Sequence, residues 1–338
     1  RARETGKGGT ETSVGRDKMA NLPTVGRNIS DFLRFVPQAK ITGDGGVAIA
    51  GQNNRYNSFY IDGAVNNDVF GLAASGTNGG QTGSSPISID AIDQFQVVVS
   101  PYDASLGNFT GGGINAITRS GTNEFQGSLY YFFRNQNLSG MTPSGDKDKR
   151  TKLSDFTKKT YGFRVGGPII KNKLFYFFNI DMQRDETPQP FDISTYRGTS
   201  SQTDINNLVS VLKTKYGYDA GGYLDNAEKL NADRVAAKID WNISTKHKLS
   251  LSYRYNNAER NNVSRSAVQT INFYNNGYVM PNKTNSGSLE LNSRFNNRTN
   301  NKLLLTFTNV VDDRGPLGGA FPRVSITDGS GRLVFGTE

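Results

Sequence analysis

From residue 125 onward, apolar and polar residues alternate one by one, as in β-strands with one apolar face and one polar face. In one such segment Leu174, Tyr176 and Phe178 share a face, whereas Asn179 and Asp181 lie on the other. The same rule holds in seven segments, which are residues 125–134, 161–165, 174–183, 234–242, 248–256, 288–294 and 303–308. The pattern therefore predicts seven strands in the second part of the chain.

The connections between these segments alternate between short and long. Short connections lie around residues 171–173, 244–246 and 296–298, and the long ones are 136–158, 185–231, 257–285 and 314–338. Tight turns at one end and extended loops at the other are typical of outer-membrane β-barrels. A soluble β-sandwich also alternates, but its strands are nearer five or six residues and its loops have no reason to be short at one end only. The pattern favours the barrel.

The second long connection contains a helical pattern. Thr203 is the predicted N-cap and Gly217 the predicted end. The shared apolar face of this helix comprises Ile205, Leu208, Val209 and Leu212.

The first 124 residues follow a different pattern, with many glycines and short mixed elements. A helix is predicted within residues 24–37, with Asp31 in its first turn and Pro37 at its end. Its apolar face consists of Ile29, Phe32, Leu33 and Val36. Strands are predicted over residues 57–63, 95–99 and 114–118, the second after a helical turn at 90–94. This part is predicted to be a small α+β domain.

Composition narrows the class of protein. Only 35% of the residues are hydrophobic, yet the chain has 20 Phe, 15 Tyr and 38 Gly, which suits strands and turns better than helices. No apolar run approaches the roughly 20 residues that a membrane helix needs. The net charge of +9 is spread along the chain, and basic and aromatic residues fall on opposite strand faces, so no nucleic-acid partner is expected.

The sequence offers little for catalysis or for metal binding. The chain has no cysteine and a single histidine, His247, beside a predicted turn, so catalytic triads and ordinary zinc sites are not expected. The glycine-rich stretch 107–113 lacks the Lys-Ser/Thr pair of a phosphate loop. We therefore expect no enzyme activity, no cofactor and no metal.

Five sequence blocks, in order, resemble TonB-dependent outer-membrane receptors. The first four resemble the family's plug domain: LPTVGRNISDFL (22–33) with Pro37, IAGQNNR (49–55) with FYIDG (59–63), IDQFQV (92–97) continuing to residues 106–107, and GGGINAITRSGTN (111–123). The fifth, YGF (161–163) with GGPIIKNKLF (166–175), resembles the Oar-like branch found in Bacteroidota. Ala50, Gln96 and Ser100-Pro101 depart from the family pattern, which weakens any assignment of particular ion pairs between plug and barrel.

The resemblance implies a membrane β-barrel of about 22 antiparallel strands when complete, with an α+β plug domain inside its lumen. Roughly the first seven strands are expected here. Seven strands cannot close around a plug domain, and an open sheet edge in lipid would leave backbone groups unpaired. The chain is therefore expected to be a fragment. The implied division is an N-terminal periplasmic segment (1–21), a plug domain (22–124) and the N-terminal portion of the barrel (125–338).

The family resemblance also implies function and partners. A receptor of this kind binds a substrate, here a peptide or a glycan, on the extracellular side of the outer membrane of a Gram-negative bacterium and imports it as the plug rearranges. The implied partners are the TonB–ExbB–ExbD complex, outer-membrane lipid, the remaining barrel and a surface lipoprotein. TonB would bind a segment upstream of the plug, but no clear copy of the family's TonB box lies within residues 1–19.

The resemblance also points to substrate-binding residues in two plug loops, 52–56 and 66–85, that are expected to face outward. The candidates are Asn53, Asn54, Arg55, Tyr56, Asn66, Asn67 and Asp68. An alternative role for them is hydrogen bonding between plug and barrel wall. An alternative function for the whole chain is a surface adhesin or structural barrel without active transport, which would need no plug.

Overall fold

The computed structural model describes residues 11–21, 26–42, 46–99, 107–142, 148 and 150–337. They form an N-terminal domain, a long antiparallel sheet that we call the wall, and a small unit built from the wall's long connections that we call the outer module. The strands of the wall have two ends. We call the end with short connections the turn end and the end with long connections the loop end.

Within its described residues, the N-terminal domain contains seven strands and two short helices. The strands are β1 (Glu11–Gly15), β2 (Ala39–Ile41), β3 (Val47–Ile49), β4 (Ser58–Ile61), β5 (Ala64–Val65), β6 (Ile92–Val98) and β7 (Gly113–Thr118), and the helices are α1 (Arg16–Asn21) and α2 (Ile29–Leu33). Five strands form a sheet in the order β1-β6-β7-β4-β5, and β2 pairs with β3. The predicted α+β domain is confirmed.

The domain has a core of its own. Phe32 of α2 stacks on Phe95 of β6 with ring centroids 5.9 Å apart, and both side chains are almost fully buried. Helix α2 is shorter than predicted and begins after Asn28, whose side chain accepts a hydrogen bond from the backbone N–H of Asp31. The predicted start at residues 24–25 lies outside the described residues.

The wall contains the seven predicted strands. They are β8 (Gln126–Asn135), β9 (Thr157–Ile170), β10 (Leu174–Thr187), β11 (Glu228–Asn242), β12 (His247–Asn262), β14 (Tyr278–Arg294) and β15 (Asn300–Asp312). Each pairs antiparallel with its neighbour, and a two-residue strand, β16 (Gly315–Pro316), extends the pairing of β14. The short connections 171–173, 243–246 and 295–299 lie at one end, as the sequence predicts.

The strand registers align apolar residues into continuous rows on one face of the wall. One row runs across five strands through Tyr176, Ile239, Leu251, Leu289 and Leu305. Leu251 is 48% exposed and Leu305 is 56% exposed. Large apolar side chains in adjacent, solvent-accessible positions are what the lipid-facing side of a barrel requires.

Several wall strands run beyond the alternating segments that predicted them. At the loop end β10 continues to Thr187 and β12 to Asn262, and β14 already begins at Tyr278. The apolar band of such a barrel is only about 25 Å tall, so strand residues above it need no apolar outer face and the alternation is lost. Within the described ranges, none of the helices combines the length and hydropathy needed to cross a bilayer.

The outer module packs three long connections around one aromatic core. It comprises α3 (Gln202–Tyr216) and a three-stranded sheet of β13 (Thr270–Asn272), β17 (Val324–Asp328) and β18 (Gly331–Phe335). Ile205 and Phe273 are fully buried within this core. The predicted helix and its end at Gly217 (φ 64°) are confirmed, but the predicted cap is wrong. Ser201 is the N-cap, because it and Asp204 form a reciprocal capping box.

Candidate binding site between the N-terminal domain and the wall

A buried ion pair lies where the N-terminal domain contacts the polar face of the wall. Arg234 of β11 donates from Nε to Oδ1 of Asp181 on β10 at 2.9 Å, its Nη2 lies 2.8 Å from the same oxygen, and their side chains are 7% and 4% exposed. The other carboxylate oxygen of Asp181 accepts hydrogen bonds from Ser88 Oγ (3.1 Å) and Tyr130 OH (2.9 Å). A loop of the N-terminal domain thus helps to solvate a charge that belongs to the wall.

The arginine of this pair also binds the same loop. Nη1 of Arg234 donates to Ser84 Oγ at 3.3 Å and to the carbonyl oxygen of Ser85 at 3.2 Å, and Nη2 donates to Gln183 Oε1 at 2.8 Å. Because a buried charge needs full hydrogen bonding, these contacts hold residues 84–88 against β10 and β11.

A second polar contact lies at the β4–β5 hairpin. Asp62 and Gly63 both have positive φ, as a tight Asp-Gly hairpin turn requires. The Asp62 carboxylate accepts hydrogen bonds from Thr118 N–H (2.9 Å) and Oγ1 (2.6 Å) and lies 3.6 Å from Nζ of Lys238 on the wall. Lys238 also donates to the carbonyl oxygen of Thr118 at 3.4 Å. The hairpin is thereby fixed to β7 and to the wall.

Arg27 links α2 to the first wall strand. Its Nη2 donates to Asp90 Oδ2 at 2.6 Å, and its guanidinium lies 3.7 Å from the ring centroid of Phe132 on β8. Phe132 faces the N-terminal domain, opposite to the apolar face of β8 that carries Leu129. A cation–π contact of this kind stabilises both partners by about 0.5–2 kcal/mol.

The linker between β7 and β8 lies flat on the turn end of the wall. Asn123 and Asn172 exchange hydrogen bonds, from Asn123 Nδ2 to Asn172 Oδ1 (2.6 Å) and from Asn172 N–H to Asn123 Oδ1 (2.7 Å). At Gly121 an added Cβ would lie 2.7 Å from the carbonyl oxygen of Gly167, so only glycine permits this approach.

Two cavities open between the N-terminal domain and the wall toward the loop end. One of about 450 Å³ is bordered by Leu72 and Ser75 and by Tyr278 and Met280 of β14. The other, of about 750 Å³, is bordered by Arg27 and by charged residues of β9 to β12. Both include Arg260, which pairs with Glu228 on the adjacent strand. These volumes suit a small ligand, and the mixed polar and apolar lining can bind both kinds of group.

The seven predicted binding residues mainly organise two neighbouring loops. Asn53 caps a 3-10 turn by accepting from Arg55 N–H at 3.1 Å, and Asn54 donates to the carbonyl oxygen of Ala74. Asn67 accepts from Phe59 N–H at 2.6 Å, and Asp68 accepts from Ala73 N–H at 2.6 Å.

Three of the seven residues, Asn53, Arg55 and Tyr56, are exposed, whereas Asn66 is 2% exposed. None of the seven borders either loop-end cavity. The hydrogen bonds described for their side chains stay inside the N-terminal domain, so they do not join it to the wall.

Sequence reasoning missed the apolar tip of this loop. Val69, Phe70 and Leu72 are 83%, 82% and 66% exposed, and they follow directly after Asp68. Such a cluster of exposed apolar side chains marks a contact surface in most proteins. The signal was present as an apolar run inside a loop otherwise rich in Asn and Gly.

Comparisons with known families agree with this two-part structure. Residues 6–114 match the TonB-dependent Receptor Plug Domain family, and residues 117–204 match an Outer membrane beta barrel domain family. The boundary between the two matches falls at β7, where the N-terminal domain ends and the linker to the wall begins.

Two curated relatives match about half of the chain. The TonB-dependent transporter Oar of Myxococcus xanthus is 32% identical over 160 residues, which cover 45% of this chain and 14% of that protein. A probable TonB-dependent siderophore receptor, PirA, of Acinetobacter baumannii is 26% identical over 177 residues, which cover 48% and 21%.

Solved structures with the same fold cover nearly all of the chain. The outer membrane transporter YddB of Escherichia coli superposes with a TM-score of 0.66 at 17% identity, over 97% of this chain and 43% of that one. The ferric enterobactin receptor PfeA of Pseudomonas aeruginosa gives 0.59 at 13% identity, over 89% and 41%. This chain spans less than half the length of each of these proteins. The chain therefore has the fold of a plug domain joined to strands of an outer-membrane β-barrel, and its two parts are similar to the TonB-dependent receptor plug and outer-membrane barrel families.

Proposed function

We propose that the chain is part of a TonB-dependent outer-membrane receptor that binds a peptide or a glycan at its extracellular side and imports it as the plug rearranges. In this proposal residues 1–21 lie in the periplasm, residues 22–124 form the plug, and residues 125–338 begin the barrel. The loop end then faces outward, and the turn end faces the periplasm. TonB–ExbB–ExbD would supply the energy, through a segment upstream of the plug. The proposed source is a Gram-negative bacterium of the Bacteroidota.

The observation that carries the proposal is the polar character of the contact between plug and wall. Among the described residues, only Phe177 and Ala236 of the wall join the hydrophobic core of the plug. The other contacts described above are hydrogen bonds, ion pairs such as that of Lys238, and the cation–π contact of Arg27. Water can replace polar contacts at a net cost of about 0.5–1.5 kcal/mol each, so this interface suits a domain that must move. A purely structural barrel would have no need for it.

The proposed substrate contacts lie on the plug loops and in the loop-end cavities. Arg55 and Tyr56 are exposed there beside the apolar tip of Phe70 and Leu72. Asn53, Asn54, Asn67 and Asp68 support this surface through side-chain hydrogen bonds within the loops, and Asn66 supports it through its backbone hydrogen bonds. A surface with amide, aromatic and guanidinium groups can bind peptides and glycans equally, and a surface lipoprotein is a further candidate partner above it.

A reversible tether between plug and wall tests the proposal. A Cβ built on Gly79 of the plug lies 2.8 Å from Cγ of Asn282 on β14, so Gly79→Cys with Asn282→Cys should form a disulfide. Cells that express the full-length receptor would be given fluorescent peptides from hydrolysed casein or fluorescent oligosaccharides from dextran. Uptake of one probe should stop in the oxidised double variant and return after reduction.

The two single-cysteine variants are the controls, because Gly79 has φ +70° and any side chain there adds strain of about 1–2 kcal/mol. Uptake that continues through the oxidised tether would show that the plug need not rearrange. Surface binding of a probe without any uptake would favour the adhesin alternative.

A further inference from the structure

A small cavity at the turn end of the wall is unusually rich in arginine. It has a volume of about 50 Å³ and lies between the linker after β7 and the first residues of β8 with the adjoining part of β9. Among the described residues that border it, three are arginines and none is acidic. The polar groups around it belong to Arg16, Arg119, Arg164, Ser120, Thr122 and Gln126.

The hydrogen bonding of Arg164 on β9 is unusual. Its Nη1 is buried, and within the described part of the chain no group accepts a hydrogen bond from this atom. A buried charged donor without an acceptor costs more than about 1–3 kcal/mol, so native structures rarely leave one unpaired. An acceptor that is not among the described residues is therefore expected beside it.

Arg119 reaches the same cavity from the plug side. Its Nε donates to the carbonyl oxygen of Ile92 at 3.1 Å, which fixes the guanidinium in place. Burial, and then the neighbouring positive charges of Arg164 and Arg16, lower the pKa of Arg119 to about 10. Asp90 and Asp93 oppose this shift only in part. Arg16 is paired with Asp93, but the described residues that border the cavity place no carboxylate between Arg119 and Arg164. These two guanidinium groups therefore repel each other, and a bound anion would offset that repulsion.

We propose that this cavity binds one small oxyanion, a phosphate or a carboxylate group, between Arg119 of the plug and Arg164 of the wall. The guanidinium groups match the planar and tetrahedral oxygens of these anions, and Ser120 adds a hydroxyl donor. A volume of about 50 Å³ is larger than the roughly 30 Å³ share of one water molecule and excludes a large ligand.

Such an anion would connect the plug to the wall at the end opposite the proposed substrate surface. Arg119 and the linker belong to the plug side, whereas Arg164 and Gly166 belong to β9. An occupied site would therefore stabilise the seated plug, and release of the plug would have to break these contacts. The site does not depend on the identity of the substrate or on transport.

Calorimetric titration of the purified full-length receptor tests the site. Inorganic phosphate and sodium acetate would be titrated separately into receptor in detergent and in a buffer that contains neither anion. We expect saturable binding of at least one of them at one equivalent, and about tenfold weaker binding in Arg164→Gln. Arg34→Gln, which removes an exposed arginine from the same plug, should bind as the wild type does.

Arg164→Lys provides a second measurement if Arg164→Gln does not fold. It keeps the charge but loses the two-pronged geometry, so its affinity should lie between those of the wild type and the Gln variant. Equal affinity in the wild type and either Arg164 variant would overturn the proposal. So would the absence of saturable binding of both anions to the wild type, because a group of the receptor itself would then satisfy Arg164.

Discussion

The plug and the wall are both built from β-sheets, yet they bury opposite kinds of surface. In the plug, Phe95 and Ile49 lie in a closed apolar core, at 1% and 0% exposure. In the wall, the largest apolar side chains are exposed on one face, and the buried ion pair of Asp181 and Arg234 lies on the other. The plug resembles a soluble domain, whereas the wall depends on lipid outside and on the plug inside.

The largest loss of stability is expected at the buried ion pair where the plug contacts the polar face of the wall. Asp181→Ala leaves Arg234 buried and uncompensated, which should lower the free energy of unfolding by about 3–5 kcal/mol. Thermal unfolding of the full-length receptor in detergent measures this change. The control is Glu290→Gln, which breaks the more exposed pair of Glu290 with Lys302 and should cost about 0–1 kcal/mol. Equal losses in the two variants would show that the inner pair is not desolvated.

A smaller effect is expected on the opposite face of the same strands. Leu251→Arg or Phe178→Arg places a charge in the apolar rows, at a cost of about 2–4 kcal/mol at the bilayer midplane. Assembly into the outer membrane, measured by fractionation of cells, should fall sharply. Leu251→Phe keeps the side chain apolar and should assemble normally. Normal assembly of both arginine variants would mean that the faces are assigned wrongly.

The outer module should respond more weakly, because a single cap contributes little. Ser201→Ala removes the cap of α3 and should destabilise the module by about 0.5–2 kcal/mol. Amide hydrogen exchange across residues 202–216 should then become faster. Thr203→Ala is the matched control and should leave exchange nearly unchanged. Faster exchange in Thr203→Ala than in Ser201→Ala would show that Thr203 is the N-cap, as the sequence alone suggested.

The smallest effect at neutral pH concerns Asp328 in the outer module. Burial would raise the pKa of this carboxyl, but hydrogen bonds from Thr199, Ser200 and Tyr196 hold it below its ordinary value of 3.8. Because the folded pKa is the lower one, the stabilisation is complete above the unfolded pKa and is lost as pH falls through the folded pKa.

Proteolysis of the outer module should therefore accelerate as pH falls below about 4. Asp328→Asn should show a flatter response over the same range. An equally steep response in that variant would assign the acid sensitivity to another group.

The wall was predictable because its two environments alternate with the period of a β-strand. Leu174 to Phe178 carry this signal without any knowledge of the tertiary structure. The loop-end extensions of β12 and β14 could not be predicted in this way, because apolar and polar residues do not alternate along them. The helix of the outer module was predicted, but its packing partners were not. Ile205, Phe273 and Phe335 come from three different connections and meet only in the folded chain.

The candidate site was less predictable than the fold. The polar residues of the plug loops were identified, but the sequence does not show that Asn67 and Asp68 fold back on their own loop. Asp181 and Arg234 are 53 residues apart, and only the register between β10 and β11 makes them cross-strand partners. The cluster of Arg119 and Arg164 likewise depends on how the linker crosses the wall.

The direct test of the account is which face of the wall contacts lipid. The chain has no cysteine, so single cysteines can replace Leu251 and its neighbour Ser252 and carry a small fluorophore. The full-length receptor would be reconstituted with lipids brominated at mid-chain. We predict strong quenching of the fluorophore at residue 251 and almost none at residue 252. Equal quenching at the two positions, or quenching at residue 252 alone, would contradict it.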